Sequence, residues 1–212
     1  QMIVAIDGPA AAGKGTLARR IAEALGFAHL DTGALYRAVG LGVLRAGQDP
    51  ADAHAALAVA EALDPAGLSD PVLREEETGK AASIVSVHPQ VRDALLKFQH
   101  NFARNPPNGA AGAVLEGRDI GTVVCPDADV KLFIDADLEV RAERRLAELR
   151  AQDPSQTLGA VRAEMAARDE RDRNRANSPL EAAPDAHLLD TTVLDIDGAF
   201  EAAMKVIGGA ER

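Results

Sequence analysis

Gly8-Pro9-Ala10-Ala11-Ala12-Gly13-Lys14-Gly15-Thr16 decides the fold. It follows the β-branched run Met2-Ile3-Val4-Ala5-Ile6, which ends in the turn signal Asp7-Gly8-Pro9. It opens a helical pattern from Thr16, in which Leu17, Ile21, Ala24 and Leu25 recur at i, i+4, i+7 and i+8, with Gly26 as the stop. Strand, small-residue loop, helix is the context that a phosphate-binding loop requires. Small residues let the backbone N–H groups turn inward around an oxyanion. The helix N-terminus adds partial positive charge and Lys14 a whole one. Gly15 stands where the usual pattern has Ser or Thr, so the hydroxyl is moved one place on, to Thr16.

Outward from the loop, Phe27 to Leu30 reads as a second strand and Ala34 to Arg45 as a second helix. Strand, loop, helix, strand, helix predicts an α/β fold with a parallel sheet. The middle differs. Asp52 to Leu63 is an Ala-rich helix, residues 64–79 read as a loop, and Gly79 to Val87 and Val91 to Ala103 are two helices parted by Pro89. The alternating pattern then returns, with strands at Ala113 to Leu115, Val130 to Ile134 and His187 to Leu189, and helices at Ala136 to Ala151, Leu158 to Asn174 and Ile196 to Ile207. The expectation is a five-stranded, doubly wound core of residues 2–48 and 106–212, a helical insertion at 49–105, and a lid at about 150–180.

Three further segments carry chemistry. Leu30-Asp31-Thr32-Gly33-Ala34-Leu35-Tyr36-Arg37 follows the second strand, beside the glycine loop at the C-terminal edge of the sheet. Arg37 can clamp a phosphate, Tyr36 offers a face to a base or ribose, and Thr32 can cap the next helix. Leu115-Glu116-Gly117-Arg118-Asp119 ends the third strand, where Arg118 could grip a phosphate and Asp119 a base amino group. In Arg168-Asp169-Glu170-Arg171-Asp172-Arg173-Asn174-Arg175, residues 168, 172 and 175 share a helix face. The five charged groups at 168, 171, 172, 173 and 175 are expected to repel one another when no anion is bound.

Composition narrows the field. The chain has 212 residues, 47% of them apolar and 26% charged, which excludes wholesale disorder. No apolar run approaches the ~18 residues of a spanning helix. A net charge of −10 with six aromatics argues against a nucleic acid polymer or an anionic membrane as partner. The single Cys125 suits a reducing, cytoplasmic setting, and the first apolar run, five residues ending at Asp7, is not a leader's pattern. The basic residues are 18 Arg against 5 Lys, a skew toward the planar fork that suits phosphate, although coding bias alone could produce such a total. The five His form no ligand cluster. A GTP-dependent switch would need an NKxD-type guanine motif, which the chain lacks; kinases for AMP or UMP stay open as alternatives.

Taken together, IDGPAAAGKGT, LDTGALYR, KAAS followed by VHPQVRDALL, LEGRDIGTVV and RDERDRNR resemble bacterial cytidylate kinases, from Ile3 to about Leu194. The resemblance implies transfer of the γ-phosphoryl of ATP to CMP or dCMP by a monomer, with Mg²⁺ held mainly through nucleotide phosphates and water and no protein metal ligand. It implies ATP contacts from Gly8 through Thr16. Thr32, Arg92, Asp119 and Arg175 would contact cytosine, and Ser83, Arg168 and Asp172 the sugar. Arg37 and Arg118 would hold the acceptor phosphate, with Tyr36 against the nucleotide. Lys14, Arg118 and Arg171 would be the catalytic cations, with Arg171 and Arg173 in the lid. The chain departs from the pattern at Thr32, where Ser is usual, at Gln99-His100, where Gln-Arg is usual, and in the short stretch from Leu63 to Gly79.

Because Lys14 stands on a loop and serves phosphates rather than the core, Lys14→Ala is expected to remove most phosphoryl transfer while leaving the fold intact. Turnover and circular dichroism on the same sample check this.

Overall fold

The structure is a computed structural model that describes residues 1–64, 67–68 and 70–211. Its centre is a five-stranded parallel sheet of order β2-β3-β1-β4-β5. The strands are β1 (Met2–Asp7), β2 (Ala28–Asp31), β3 (Gly112–Gly117), β4 (Val130–Asp135) and β5 (His187–Asp190). β1 is central because it is apolar on both faces. Val4 and Ile6 point into one layer, with Leu17 and Ile21 of α1 (Lys14–Leu25) and Ile207 of α8 (Ile196–Ala210). Ala5 points into the other, with Leu30, Leu115 and Ile120. A strand buried on both faces reads as an apolar run, which is why the pattern at residues 2–6 was plain.

α1 begins at Lys14, two residues before the expected start, so that the lysine itself lies in the first turn. Gly26 ends it in the left-handed conformation, donating to Ala22 O as expected. α2 (Thr32–Arg45) is capped by the Asp31 carboxylate, which accepts from Ala34 N–H. The expected cap, Thr32, instead donates its hydroxyl to Glu116 O at 2.6 Å. A carboxylate one place earlier suits the helix N-terminus better, and it frees the Thr hydroxyl to tie β2 to β3.

Between α2 and β3 run α3 (Ala53–Glu61), α4 (Glu76–Val85) and α5 (Pro89–Arg104). They pack with α2 around Leu35, Val39, Val85, Val91 and Leu95. The loop expected over 64–79 is corrected. Asp70 caps a 3-10 turn at Pro71–Arg74, and α4 starts at Glu76, where Glu76 and Glu77 favour a first turn; Pro65 lies outside the described residues. Pro89 starts α5 rather than only interrupting a helix. α6 (Leu138–Arg150) and α7 (Leu158–Arg173) form a pair around Ala142, Leu146, Val161 and Met165.

One element had no sequence signal. After β3 the chain makes a π-helical turn at Ile120–Val124, closed by Cys125 N–H to Ile120 O at 2.7 Å. Asp7 anchors its start, accepting from the N–H groups of Ile120 and Gly121 at 2.8 Å each. His100 meets Val124 O at 2.8 Å at its far end. Cys125 is buried beside the turn and burial pushes its thiol up to about 11, which leaves it an inert packing group.

Gly8 is where the sheet and the loop cannot accept a side chain. Its φ is +151°, and a Cβ would lie 2.0 Å from the carbonyl oxygen of Ile134. Gly8→Ala is therefore expected to destabilise the fold by at least about 2 kcal/mol, through overpacking against backbone and positive-φ strain. A urea-unfolding midpoint checks it.

Candidate active site

The C-terminal ends of β1, β2, β3 and β4 open on one side of the sheet, and two cavities meet there. The larger, ≈ 1310 Å³, is walled by the loop from Ala10 to Thr16 and by Arg37, Arg144, Arg145 and Arg168. Ala11 and Gly13 have positive φ, 58° and 93°, so the loop backbone curls around the cavity mouth in the manner of an anion nest. Gly8 and Pro9 are buried beneath it and line neither cavity. Lys14 Nζ donates to Pro9 O at 3.4 Å, which folds its side chain back over the loop. Burial, then the charge of Arg118, pulls the Lys14 ammonium down to about 8.

The second cavity is narrow, ≈ 30 Å³. Its walls include Thr32, Tyr36 and Ser83 and the charged groups Arg92, Arg118, Asp119, Arg168, Asp172 and Arg175. Arg168 lines both cavities. Arg92 pairs with Asp119, both buried, and the Arg92 guanidinium lies over the Tyr36 ring at 5.1 Å. Burial pushes the Tyr36 hydroxyl up to about 12, so the ring meets any ligand uncharged. Gly117 has no side chain because a Cβ there would lie 2.4 Å from Thr32 Oγ1.

Asp172 gathers the cations. Arg118 Nε lies 2.5 Å from its carboxylate, Arg175 Nη1 3.8 Å and Arg168 Nε 4.0 Å. Burial pushes the Asp172 carboxyl up, but these three guanidinium groups outweigh it and hold it below the usual carboxylate range. The expectation that the charged run repels itself without anions is thereby corrected, since an internal carboxylate already serves as counterion. The shared helix face is corrected too. α7 ends at Arg173, and Arg175 reaches the pocket from beyond the end, donating to Ser86 Oγ at 3.1 Å and Ser178 O at 2.6 Å.

Two of the expected cations stand apart. Arg171 lines neither cavity and donates to Ser83 Oγ at 2.8 Å, bridging α7 to α4. Arg173 is exposed. Arg37 lies in the wall of the larger cavity and is held by Asp31 Oδ2 at 2.5 Å. The ε-nitrogens of Arg37, Arg92, Arg168 and Arg175 are buried without a hydrogen bond, spare donors that an anion can satisfy.

Sequence reasoning missed four groups. Asp31 and Asp7 passed as loop and turn residues. Glu116, buried at the end of β3, has Oε1 3.5 Å from His29 Nε2 and leaves Oε2 without a partner. Arg141 passed as part of a charged helix. It is buried, holds Asp169 of α7 through two hydrogen bonds of 3.3 and 2.7 Å, and reaches Ala10 O at 3.5 Å. Its position one residue before the buried Ala142, on the apolar side of α6, was the available signal.

A glycine loop at the end of the central parallel strand, facing a cluster of guanidinium groups, defines a P-loop protein built to hold phosphates. Among solved structures, an uncharacterized protein from Eubacterium ventriosum matches at a TM-score of 0.55 and 14% identity over 98% of this chain and 99% of that one. A sugar kinase from Janibacter sp. HTCC2649 matches at 0.52 and 14% over 98% and 95%. At such identities the likeness is one of fold. Sequence comparison goes further. The cytidylate kinase family matches residues 4–208. The chain is 56% identical to the cytidylate kinase of Rhodospirillum rubrum over 97% of both chains, and 58% identical to that of Paramagnetospirillum magneticum over the same shares. The chain belongs to the cytidylate kinase family.

Removing the internal counterion exposes what it does. Asp172→Asn is expected to cost about 3 kcal/mol, because three guanidinium groups stay behind with no carboxylate among them. With its carboxyl held low, the contribution of Asp172 is complete at pH 7 and is lost only as pH falls below the usual carboxylate range. Denaturant midpoints of the two proteins at pH 7 measure the difference.

Proposed function

We propose that the chain transfers the γ-phosphoryl group of ATP to CMP or dCMP, giving ADP and CDP or dCDP. The observation that carries the reading is that Arg168 lines both cavities, so a donor on the glycine loop and an acceptor in the narrow pocket would meet at one cationic wall. Family membership supports the same substrates.

In this reading the loop N–H groups and Lys14 hold the donor phosphates. Arg37 and Arg118 hold the acceptor phosphate, whose own ionised oxygen is the nucleophile. Arg118, Arg168 and Arg171 neutralise the charge that spreads over the transferred group; no general base is required, because this chemistry rests on alignment and charge neutralisation. For Arg171 this means leaving Ser83 and turning toward the phosphates.

At the base end, the Asp119 carboxylate accepts from the exocyclic amine of cytosine, with Arg92 and Arg175 as donors and Tyr36 against the ring. Ser83 and Asp172 serve the sugar, and Thr32 closes the pocket floor. Residues 49–105 act as the acceptor-binding insertion and about 150–180 as the lid. Arg141, tied to Asp169 and to Ala10 O, is the hinge-side link between lid and loop.

Mg²⁺ fits this site through nucleotide and water. Glu116 Oε2 is buried without a partner, close to Gly15, and suits a water on the ion. The Thr16 hydroxyl and Glu116 would meet the water shell of the ion rather than the ion itself. When bound, it neutralises donor phosphate oxygens. No helix among the described residues is long and apolar enough to cross a membrane, and a cytoplasmic monomer suits the reading.

A coupled ADP-release assay with CMP, dCMP, UMP and AMP tests the function, with the cytidine nucleotides expected to dominate. In Asp119→Ala the CMP over UMP ratio of kcat/KM is expected to fall about tenfold or more, since UMP presents a carbonyl where CMP presents an amine. An unchanged ratio refutes the assignment of Asp119.

A further inference from the structure

Asp119, Asp169 and Asp172 are buried carboxylates, each held by a guanidinium group. Asp7 is also buried, at the end of β1, yet it is held by two backbone N–H groups, those of Ile120 and Gly121 at 2.8 Å each. These are the residues directly after Arg118 and Asp119. We propose that Asp7 is a positioning residue for recognition of the acceptor nucleotide, because its carboxylate fixes the turn on which Arg118 and Asp119 stand.

The inference rests on the cytidylate kinase reading of the site and adds a residue that touches no substrate. Three observations carry it. Among the described residues no other side chain hydrogen-bonds the start of the π-helical turn, while His100 holds its far end. Both oxygens of Asp7 are used, so the turn is fixed in orientation as well as distance. The backbone repeats the tie, with Gly8 N–H to Gly117 O at 3.3 Å. The end of β1 therefore carries the donor loop through its chain and the acceptor turn through its side chain.

Holding a carboxylate there is costly. Burial pushes Asp7 up to about 7, the two N–H groups oppose that, Asp119 adds to it and Lys14 of α1 opposes it. Cys125, at the end of the turn, also faces it but is a neutral thiol. Asparagine fills the same space with one acceptor only, and sets its NH₂ group against the second N–H. The turn must then shift, and the Asp119 carboxylate and Arg118 guanidinium shift with it.

The test is Asp7→Asn in the full chain, with KM for CMP, KM for ATP and the CMP over UMP ratio of kcat/KM measured beside the parent. The expected result is an acceptor KM raised about tenfold, a selectivity ratio lowered by a similar factor, and a KM for ATP within about twofold of the parent. A parallel rise in both KM values, or an unchanged selectivity ratio, overturns the proposal by making Asp7 a general support of the β1 end. If Asp7→Asn does not fold, Gly121→Ala decides. Its Cβ would stand 3.2 Å from Lys131 Cδ, close enough that the lysine or the turn must give by a few tenths of an ångström, and in van der Waals contact with Asp7 Oδ2 at 3.4 Å, beside the N–H that this oxygen accepts from. A smaller loss of selectivity, about two- to threefold, supports the proposal, and none overturns it. Failure of the parent itself to phosphorylate CMP would defeat the functional reading instead, and is seen in the same assay.

Discussion

One carboxylate, Asp172, lets this protein assemble three guanidinium groups in a place that water barely reaches. Arg118 comes from the end of β3, Arg168 from within α7 and Arg175 from beyond it. Without a negative charge among them, their mutual repulsion and the cost of burial would drive α7 away from the sheet. With it, the end of α7 is brought to β3, and Leu180 N–H bonds back to Asp172 O at 2.8 Å to fold the following segment over the pocket. The Arg141–Asp169 pair repeats the device at the other side of α7. Buried ion pairs of this sort add little net stability; their effect is to specify one arrangement and to penalise others.

The same pairs fill the narrow pocket. Its ≈ 30 Å³ admits about two or three waters, not a nucleotide base. Arg92 already has Asp119, and Arg118 already has Asp172. In the proposed reading a ligand would enter by exchange, replacing internal partners, and each unpaired ε-nitrogen would favour the exchange. The broad cavity on the glycine loop needs no such exchange. The two halves of the proposed site would thus bind by different physics, one by parting ion pairs and the other by filling an open, cation-lined space.

Much of this was legible in the chain. The apolar run at residues 2–6, the glycine loop and the helix behind it place the centre of the sheet unaided, because a strand buried on both faces and a small-residue turn each leave a local signature. Thr32, Asp119, Asp172 and Arg175, singled out from their segments, and Arg92, named through the resemblance, line one pocket. What stayed hidden was long-range. Asp31 takes the capping role expected of Thr32, because β3 lies beside β2 and offers Glu116 O to the Thr32 hydroxyl. Asp7 meets residues more than a hundred positions away, and Arg141 meets Asp169 across a helix pair. The π-helical turn has no period that five residues could display. The early start of α4 was masked by Pro and Gly, which mark a 3-10 turn as readily as a loop.

The order of the sheet has a consequence for how the chain is made. β1 leaves the ribosome first, yet both its neighbours, β3 and β4, end at residues 117 and 135. At about 5–20 residues per second, β1 waits on the order of ten seconds for its partners. Helices α2 to α5 are complete before either arrives and pack mainly on one another, so they can collapse as a local unit while the apolar first strand is still unpaired. During that interval Met2 to Ile6 is an uncharged, β-prone segment without its partners. The strand that carries the glycine loop is thus the last part of the sheet's centre to be covered, and an unpaired edge of this kind is where a nascent chain is prone to aggregate.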